Sequence, residues 1–342
     1  MGIGKVFSPH TLTVLCTYQC TAACKQCCFE SGPRVIGQLS RETIIARIAE
    51  AKRTFPRLAL VAFSGGEAMM LKDDLHAAIA FATAEGLTTR VVSNGYWGKT
   101  PQSARTAVKK LVQAGLCELN ISTGRDHQEW VPAASVANAA AAAAEDGLFC
   151  LITVESDGED RSLLEELLKH PLLSAHVESH AVTIQSNSWM PFHDSAESRE
   201  QRIDVQELRK GCDQIFGTTV VTPHDNLSAC CGLTLEHIPE MRLGKNTGSN
   251  MEALYSSQFK DFLKVWLQVD GPYTIVERLM DASAKQYLKD VVHICEACVI
   301  LHKNPEVRAT VMERYKEFAP EITTRFKIAM ALRERAVTTP MN

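Results

Sequence analysis

Short apolar, β-branched runs alternate with helix-length segments over the first half of the chain. The runs are TLTVLCT (11–17), LALVAFSGGE (58–67), TTRVVSNG (88–95), LCELNIST (116–123), LFCLITVES (148–156) and HAVTIQSNS (180–188). Between them, 40–55, 71–86, 100–115 and 131–147 carry helical patterns. Ser40 with Thr43, and Thr100 before Pro101, mark helix starts, and Gly86, Gly115 and Gly147 mark stops. The alanine run 139–144 suits a packing or solvent-side helix. Strands in strict alternation with helices predict a parallel sheet, doubly wound or rolled up. A full eight-fold barrel needs about 250 residues, more than this part of the chain offers, so a partial barrel of six β/α units is expected. Chemistry in such sheets gathers at the carboxyl ends of the strands. A cysteine cluster follows the first run, SGGE ends the second, SNG the third and IST the fourth.

The rhythm then stops. A polar connection, 190–207, leads to VVTPHDNLSACCG (220–232), which reads as strand, turn, strand. Asp225 and Asn226 tolerate the left-handed conformation of such a turn. The tail 304–342 reads as a charged amphipathic helix covering the barrel or the second unit.

At 342 residues and 45% hydrophobic content, the chain can fill a large core and a smaller one. Its net charge of −4 is mixed along the sequence, which gives no basic footprint for nucleic acid. The first residues lack the pattern of a signal peptide. No apolar stretch approaches the roughly 20 residues of a membrane span. A reducing cytoplasm is therefore the expected location, where twelve cysteines argue for metal or redox chemistry over disulfides.

Cys20, Cys24 and Cys27 lie within eight residues of one another. Zinc sites usually combine two separated pairs, whereas a compact three-thiol loop can hold an iron–sulfur cube and leave one iron open. The other possibility is that these are small buried hydrophobes. With Gly65, Gly66 and Glu67 one strand away, the loop closely resembles that of the radical S-adenosylmethionine (SAM) superfamily. The resemblance implies a partial (β/α)6 TIM-like barrel and a [4Fe–4S] cluster on Cys20, Cys24 and Cys27 that binds SAM. It also implies a SAM contact by Glu67, by Ser122 at the end of the fourth strand, and by Asn94. The two glycines allow close backbone approach. The family places an aromatic residue before the third cysteine. Gln26 stands there instead, which shifts the adenine contact to Phe29 or to the backbone. Cys16, Cys28, Cys117 and Cys150 are expected to pack.

The second half resembles the twitch form of the SPASM extension found after many such barrels. This implies an α/β fold with a small C-terminal α+β domain, divided as 1–190 core, 191–211 linker, 212–303 auxiliary domain and 304–342 helical tail. Cys212, Cys230, Cys295 and Cys298 would ligate a second, auxiliary [4Fe–4S] cluster, although a C-x2-C pair alone is also a zinc half-site. The family's turn glycine maps onto Asp225 here. Cys231 is left over, either packing or exchanging roles with Cys230, or serving as a neutral thiol that gives hydrogen to a substrate radical. The resemblance favours an enzyme that modifies ribosomally made peptides by epimerisation or crosslinking, fed by an electron donor such as flavodoxin or ferredoxin. Nineteen residues ahead of Cys20 are too few for a leader-binding domain, so the peptide is expected to be held by the barrel mouth, the auxiliary domain or a separate protein. The alternatives are a small-molecule dehydrogenase or cyclase, and a non-enzymatic metal-binding interaction protein.

Overall fold

The protein is seen in a computed structural model that describes residues 8–156, 160–188, 190, 192, 204–233 and 235–338. Six β/α units come first: β1 (Thr11–Thr17), α1 (Arg41–Thr54), β2 (Leu60–Gly65), α2 (Asp73–Ala84), β3 (Thr88–Ser93), α3 (Pro101–Ala114), β4 (Glu118–Thr123), α4 (Ala133–Glu145), β5 (Phe149–Ser156), the short α5 (Ser162–Leu168) and α6 (Ser174–Glu178), and β6 (Val182–Ser188). Neighbouring strands pair in parallel throughout. The helix starts and stops follow the expected chemistry. Ser40 accepts from the Thr43 amide, Thr100 and Ser103 form a reciprocal cap ahead of Pro101, and Gly115 ends α3 at φ 91°.

Alternation fixes which face of each strand meets the helices. Leu12, Val14 and Cys16 of β1 join Val61, Phe63, Val91, Leu119, Ile121, Ile152 and the helices in one buried core. The alanine run of α4 is buried in that core, so it is a packing helix. Thr13 and Leu15 face the opposite, concave side, where Leu15 belongs to a second core.

The second half departs from the sequence expectation in one respect. β7 (Thr218–Val221) pairs in parallel with β1, and β8 (Asn226–Ser228) and β9 (Arg242–Lys245) continue antiparallel. The expected strand–turn–strand is thus part of one nine-stranded sheet, in the order β6-β5-β4-β3-β2-β1-β7-β8-β9. The β7–β8 turn has Asp225 at φ 58°, which supplies the left-handed residue that the family's glycine would provide. Its carboxylate is held by the Arg47 guanidinium of α1 at 2.8 and 2.7 Å, so an aspartate does at this turn what a bare glycine cannot. Most of the expected linker, residues 191 and 193–203, lies outside the described residues.

Helices complete this half: α7 (Met251–Ser257), α8 (Phe262–Met280), α9 (Ala284–Leu288), α10 (Ile294–Lys303) and α11 (Pro305–Thr338). The tail helix α11 packs on α8 and α10, which settles the sequence alternatives in favour of the second unit. Arg278 and Arg325 bind the buried carboxylate of Asp270 at 2.7 Å each, tying α8 to α11. No helix among the described residues is long and apolar enough to cross a membrane.

Candidate functional site

The three-cysteine loop leaves β1 at the carboxyl edge of the sheet. Its backbone is pinned by the end of β2. The Gly66 amide donates to Thr17 O at 2.6 Å, and the Glu67 amide donates to Gln19 O at 3.0 Å. A Cβ at Gly66 would stand 2.3 Å from Gln19 O, and one at Gly65, where φ is 118°, would stand 2.5 Å from Thr17 O. The two glycines therefore let two segments of the chain itself come together, holding the cysteine loop against β2. Replacing Gly66 with alanine is expected to force them apart and lower stability by about 3 kcal/mol, read in a denaturant melt. An unchanged midpoint would show that the contact is dispensable.

Within the loop, Cys24 lies beside Cys20 and Cys27. Burial first, and then these two thiols, push it up to about 12. Cys20 is pushed up to about 11, chiefly by burial. Two backbone amides already point at sulfur, Ala22 N–H at Cys20 Sγ and Ser31 N–H at Cys27 Sγ, each at 3.4 Å. Asn94 Nδ2 adds a third donor to Cys20 Sγ at 3.6 Å. Thiols lifted by burial and ringed by donors to sulfur suit a cationic metal partner, which favours the thiolate and uses those donors in its second shell.

Glu67 sits beneath this loop with its side chain fully buried. Its Oε1 accepts from Met69 N–H at 2.9 Å and Ser93 Oγ at 3.0 Å, and its Oε2 from Asn94 N–H at 2.8 Å. Burial outweighs these donors and pushes its pKa up to about 7. The carboxylate has about four acceptor positions, and groups of the chain occupy most of them. Here, then, Glu67 fastens the end of β2 to that of β3. Asn94 is similarly engaged: Nδ2 also reaches Thr21 Oγ1 at 3.1 Å, and Oδ1 accepts from Tyr96 N–H at 3.0 Å. The structure thus brings Gly65, Gly66, Glu67, Asn94 and Cys20 into one cluster. Ser122 stands half-buried on β4, two strands from β2.

Several members were silent in the sequence. Ser93 joins Glu67 to the indole N–H of Trp97, which donates to its Oγ at 3.0 Å. Asp126, just past β4, lies beside Cys24. Gln26 is buried, and its Oε1 accepts from the Phe192 amide at 2.7 Å. Phe29 packs against the second core. Ser93, Trp97 and Asp126 follow no spacing rule, whereas Gln26 and Phe29 were singled out by their place beside Cys27. Cys16 and Cys150 are buried as expected, whereas Cys117 precedes β4 and is exposed. The Cys28 thiol is buried close to both Cys27 and Cys295, between the two cysteine groups.

The second group lines a cavity of about 340 Å³ whose wall includes Cys212, Cys230, Cys231, Cys295, Cys298 and His293. Cys212 precedes β7, Cys230 and Cys231 follow β8, and Cys295 and Cys298 occupy successive turns of α10. Burial lifts the Cys298 thiol far above the usual range, and Cys230, Cys295 and Cys212 add to the rise. Gly232 lies against Cys295 Sγ and Cys230 Sγ, where its own Cβ would stand 3.3 and 3.7 Å from them. Cys231 lines the same cavity. Its thiol donates to Gln214 Oε1 at 2.9 Å, and the same oxygen accepts from Thr218 Oγ1 at 3.1 Å.

Comparison with known proteins agrees with this arrangement. Residues 14–129 match the radical SAM superfamily. "Putative peptide biosynthesis protein YydG" of Bacillus subtilis (strain 168) is 23% identical over 128 residues, a match that spans 37% of this chain and 40% of that relative. Among solved structures, native anSMEcpe with bound AdoMet and Cp18Cys peptide aligns over 94% of this chain and 99% of that one, with a TM-score of 0.57 at 12% identity. Native anSMEcpe with bound AdoMet aligns over 93% and 99%, with a TM-score of 0.57 at 11% identity. At such identities the structural likeness is one of fold. The family match thus spans residues 14–129, the stretch that holds the first cysteine group and the Glu67 cluster.

Proposed function

We propose that this chain is a radical SAM enzyme that takes a hydrogen atom from a peptide and, through Cys231, returns one to the opposite face of the same carbon, inverting the residue; a second electron from the same class of donor and a solvent proton then restore the Cys231 thiol. The S–H of Cys231 carries the reading. Cys231 Sγ lies 2.9 Å from Gln214 Oε1, a partner suited to a thiol, while Cys212, Cys230, Cys295 and Cys298 neighbour one another around the cavity that Cys231 also lines. In this reading one cysteine stays a thiol beside four that would ligate a metal group.

Cys20, Cys24 and Cys27 would hold the first [4Fe–4S] cluster with three thiolates, leaving one iron for SAM. When bound, this pair of cofactors supplies reductive cleavage of SAM to methionine and a 5′-deoxyadenosyl radical, driven by an electron from a flavodoxin- or ferredoxin-type donor. The chain itself orients and encloses. Gly65, Gly66 and Glu67 hold the cysteine loop in place, Asn94 supports Cys20, and Ser122 offers a hydroxyl on the same sheet. Gln214 and Thr218 fix the Cys231 thiol. The relative named for peptide biosynthesis and the peptide-bound structural neighbour support a peptide substrate.

For the second group, residues 212–303 act as an auxiliary domain whose four thiolates fully ligate a second cluster. The four thiols line a cavity of about 340 Å³, and the resemblance of the second half to the twitch extension supports a cluster over a single zinc. Replacing Cys295 and Cys298 together is expected to remove about half the iron while part of the SAM cleavage survives. Zinc in the reconstituted wild type, with one cluster signal only, would sink the auxiliary assignment.

Crosslinking is the competing outcome, and a product lighter by two hydrogens would select it. Incubation of the reconstituted enzyme with candidate peptides in deuterated water tests inversion directly. A D-residue bearing deuterium is the expected product, because the thiol proton exchanges with solvent.

A further inference from the structure

β6 is the outer strand of the sheet, and among the described residues nothing pairs with its free edge. Its pairing register with β5 is Cys150↔Val182 through Ser156↔Ser188, and the Cys150 amide donates to Ala181 O at 3.4 Å. In a parallel ladder, successive residues turn their main-chain groups to alternate sides. Thr183, Gln185 and Asn187 therefore bond towards β5, while the N–H and C=O groups of Val182, Ile184 and Ser186 point outward from the sheet.

Natural edges are usually blunted by proline, lysine, a bulge or a covering element. The strand VTIQSNS has no proline or lysine, its register with β5 is unbroken, and Thr183, Gln185, Ser186 and Asn187 are exposed. On its concave side a polar row runs inward across the sheet. Gln185 Nε2 donates to Thr153 Oγ1 at 3.5 Å, and Thr153 donates to Asn120 Oδ1 at 3.3 Å. Ser122 follows on the same face of β4, and Thr13, on the concave face of β1, reaches Cys231.

We propose that the peptide substrate binds as an added strand on the free edge of β6, its main chain bonded to Ile184 and Ser186 and its inward side chains lying over the Gln185–Thr153–Asn120 row. The edge repeats one donor and one acceptor every two residues, about 6.6 Å apart, a pattern that an extended main chain matches and a compact small molecule does not. Seven residues give a platform about 23 Å long, on the sheet whose carboxyl ends carry the first cysteine group. Affinity then comes largely from the peptide backbone, and specificity from the side chains over the row.

This inference rests on the peptide reading above, and the test separates the two. A random-sequence pool of 12-residue peptides is screened on the reconstituted full-length enzyme for stimulated 5′-deoxyadenosine release. The best peptide is then used in hydrogen exchange. The amides of Ile184 and Ser186 are expected to gain protection of at least about tenfold, those of Thr183 and Gln185 being already slow. Ser186→Pro removes one outward N–H at an edge position that tolerates proline, and should weaken the peptide at least fivefold or so while folded content and iron stay at wild-type levels. If that variant does not fold, protection in the wild type decides. Stimulation by peptide without protection of Ile184 and Ser186 overturns edge binding and leaves the peptide reading standing. The absence of any peptide response overturns both. Protection that follows enzyme concentration instead of peptide would mean that a second copy of the chain occupies the edge, which also overturns the proposal.

Discussion

Replacing Cys20, Cys24 and Cys27 together with alanine is expected to abolish 5′-deoxyadenosine formation and to leave a folded protein with about half the iron. The fold should survive because the loop's anchors do not involve the thiols. The Gly66 and Glu67 amides bind main-chain oxygens of Thr17 and Gln19, and Glu67 is held by Met69, Ser93 and Asn94. Chemistry should be lost completely, since a single neighbouring thiol, Cys28, cannot replace a set of three. Cys28 is turned towards both cysteine groups and is the one candidate for partial substitution. Residual iron at the first site in the triple variant would point to it. Undiminished SAM cleavage would end the assignment of these three residues.

Replacing Cys231 with alanine is expected to have an equally large but different effect. Hydrogen abstraction, measured as 5′-deoxyadenosine, should persist, and iron should remain at the wild-type level. The D-residue should disappear, with quenched or fragmented peptide in its place. A serine at this position would keep the hydrogen bond to Gln214 Oε1, but its O–H bond is too strong to give a hydrogen atom to a carbon radical, so it should fail as alanine does. Gln214→Ala is the milder partner. It removes the acceptor that fixes the thiol at 2.9 Å and should reduce inversion about tenfold while leaving iron unchanged. Loss of iron in the Cys231 variant would make it a ligand in place of Cys230 and remove the basis for inversion.

Much of this was legible from the sequence, and the reasons are local. Strands of β-branched residues, alternating with helices that stop at Gly86, Gly115 and Gly147, made the six β/α units legible, because periodicity and caps act over a few residues. The three-cysteine loop and the SGGE turn were legible because each is short and follows a strand. What stayed hidden depends on chain segments meeting from afar. The continuation of the sheet through β7 required the chain to return beside β1 from position 218, which no pattern near β1 announces. The Asp225 turn was read as left-handed, yet its partner Arg47 lies 178 residues away. Glu67 was read as a SAM contact, and the bonds it accepts from Ser93 and Asn94 could not be read from the sequence. The different neighbours of Cys230 and Cys231, adjacent in sequence, became visible only in the fold, where Gly232 lies against Cys230 and Gln214 meets Cys231.

The most direct test is spectroscopic, on the wild-type protein reconstituted anaerobically with iron and sulfide. Two [4Fe–4S] clusters, about eight irons in all, are expected. On reduction, added SAM should shift the electron paramagnetic resonance signal of one cluster and leave the other unchanged, because three thiolates leave an iron open and four do not. A single cluster, or two that both respond to SAM, would contradict the division of these cysteines into a set of three and a set of four.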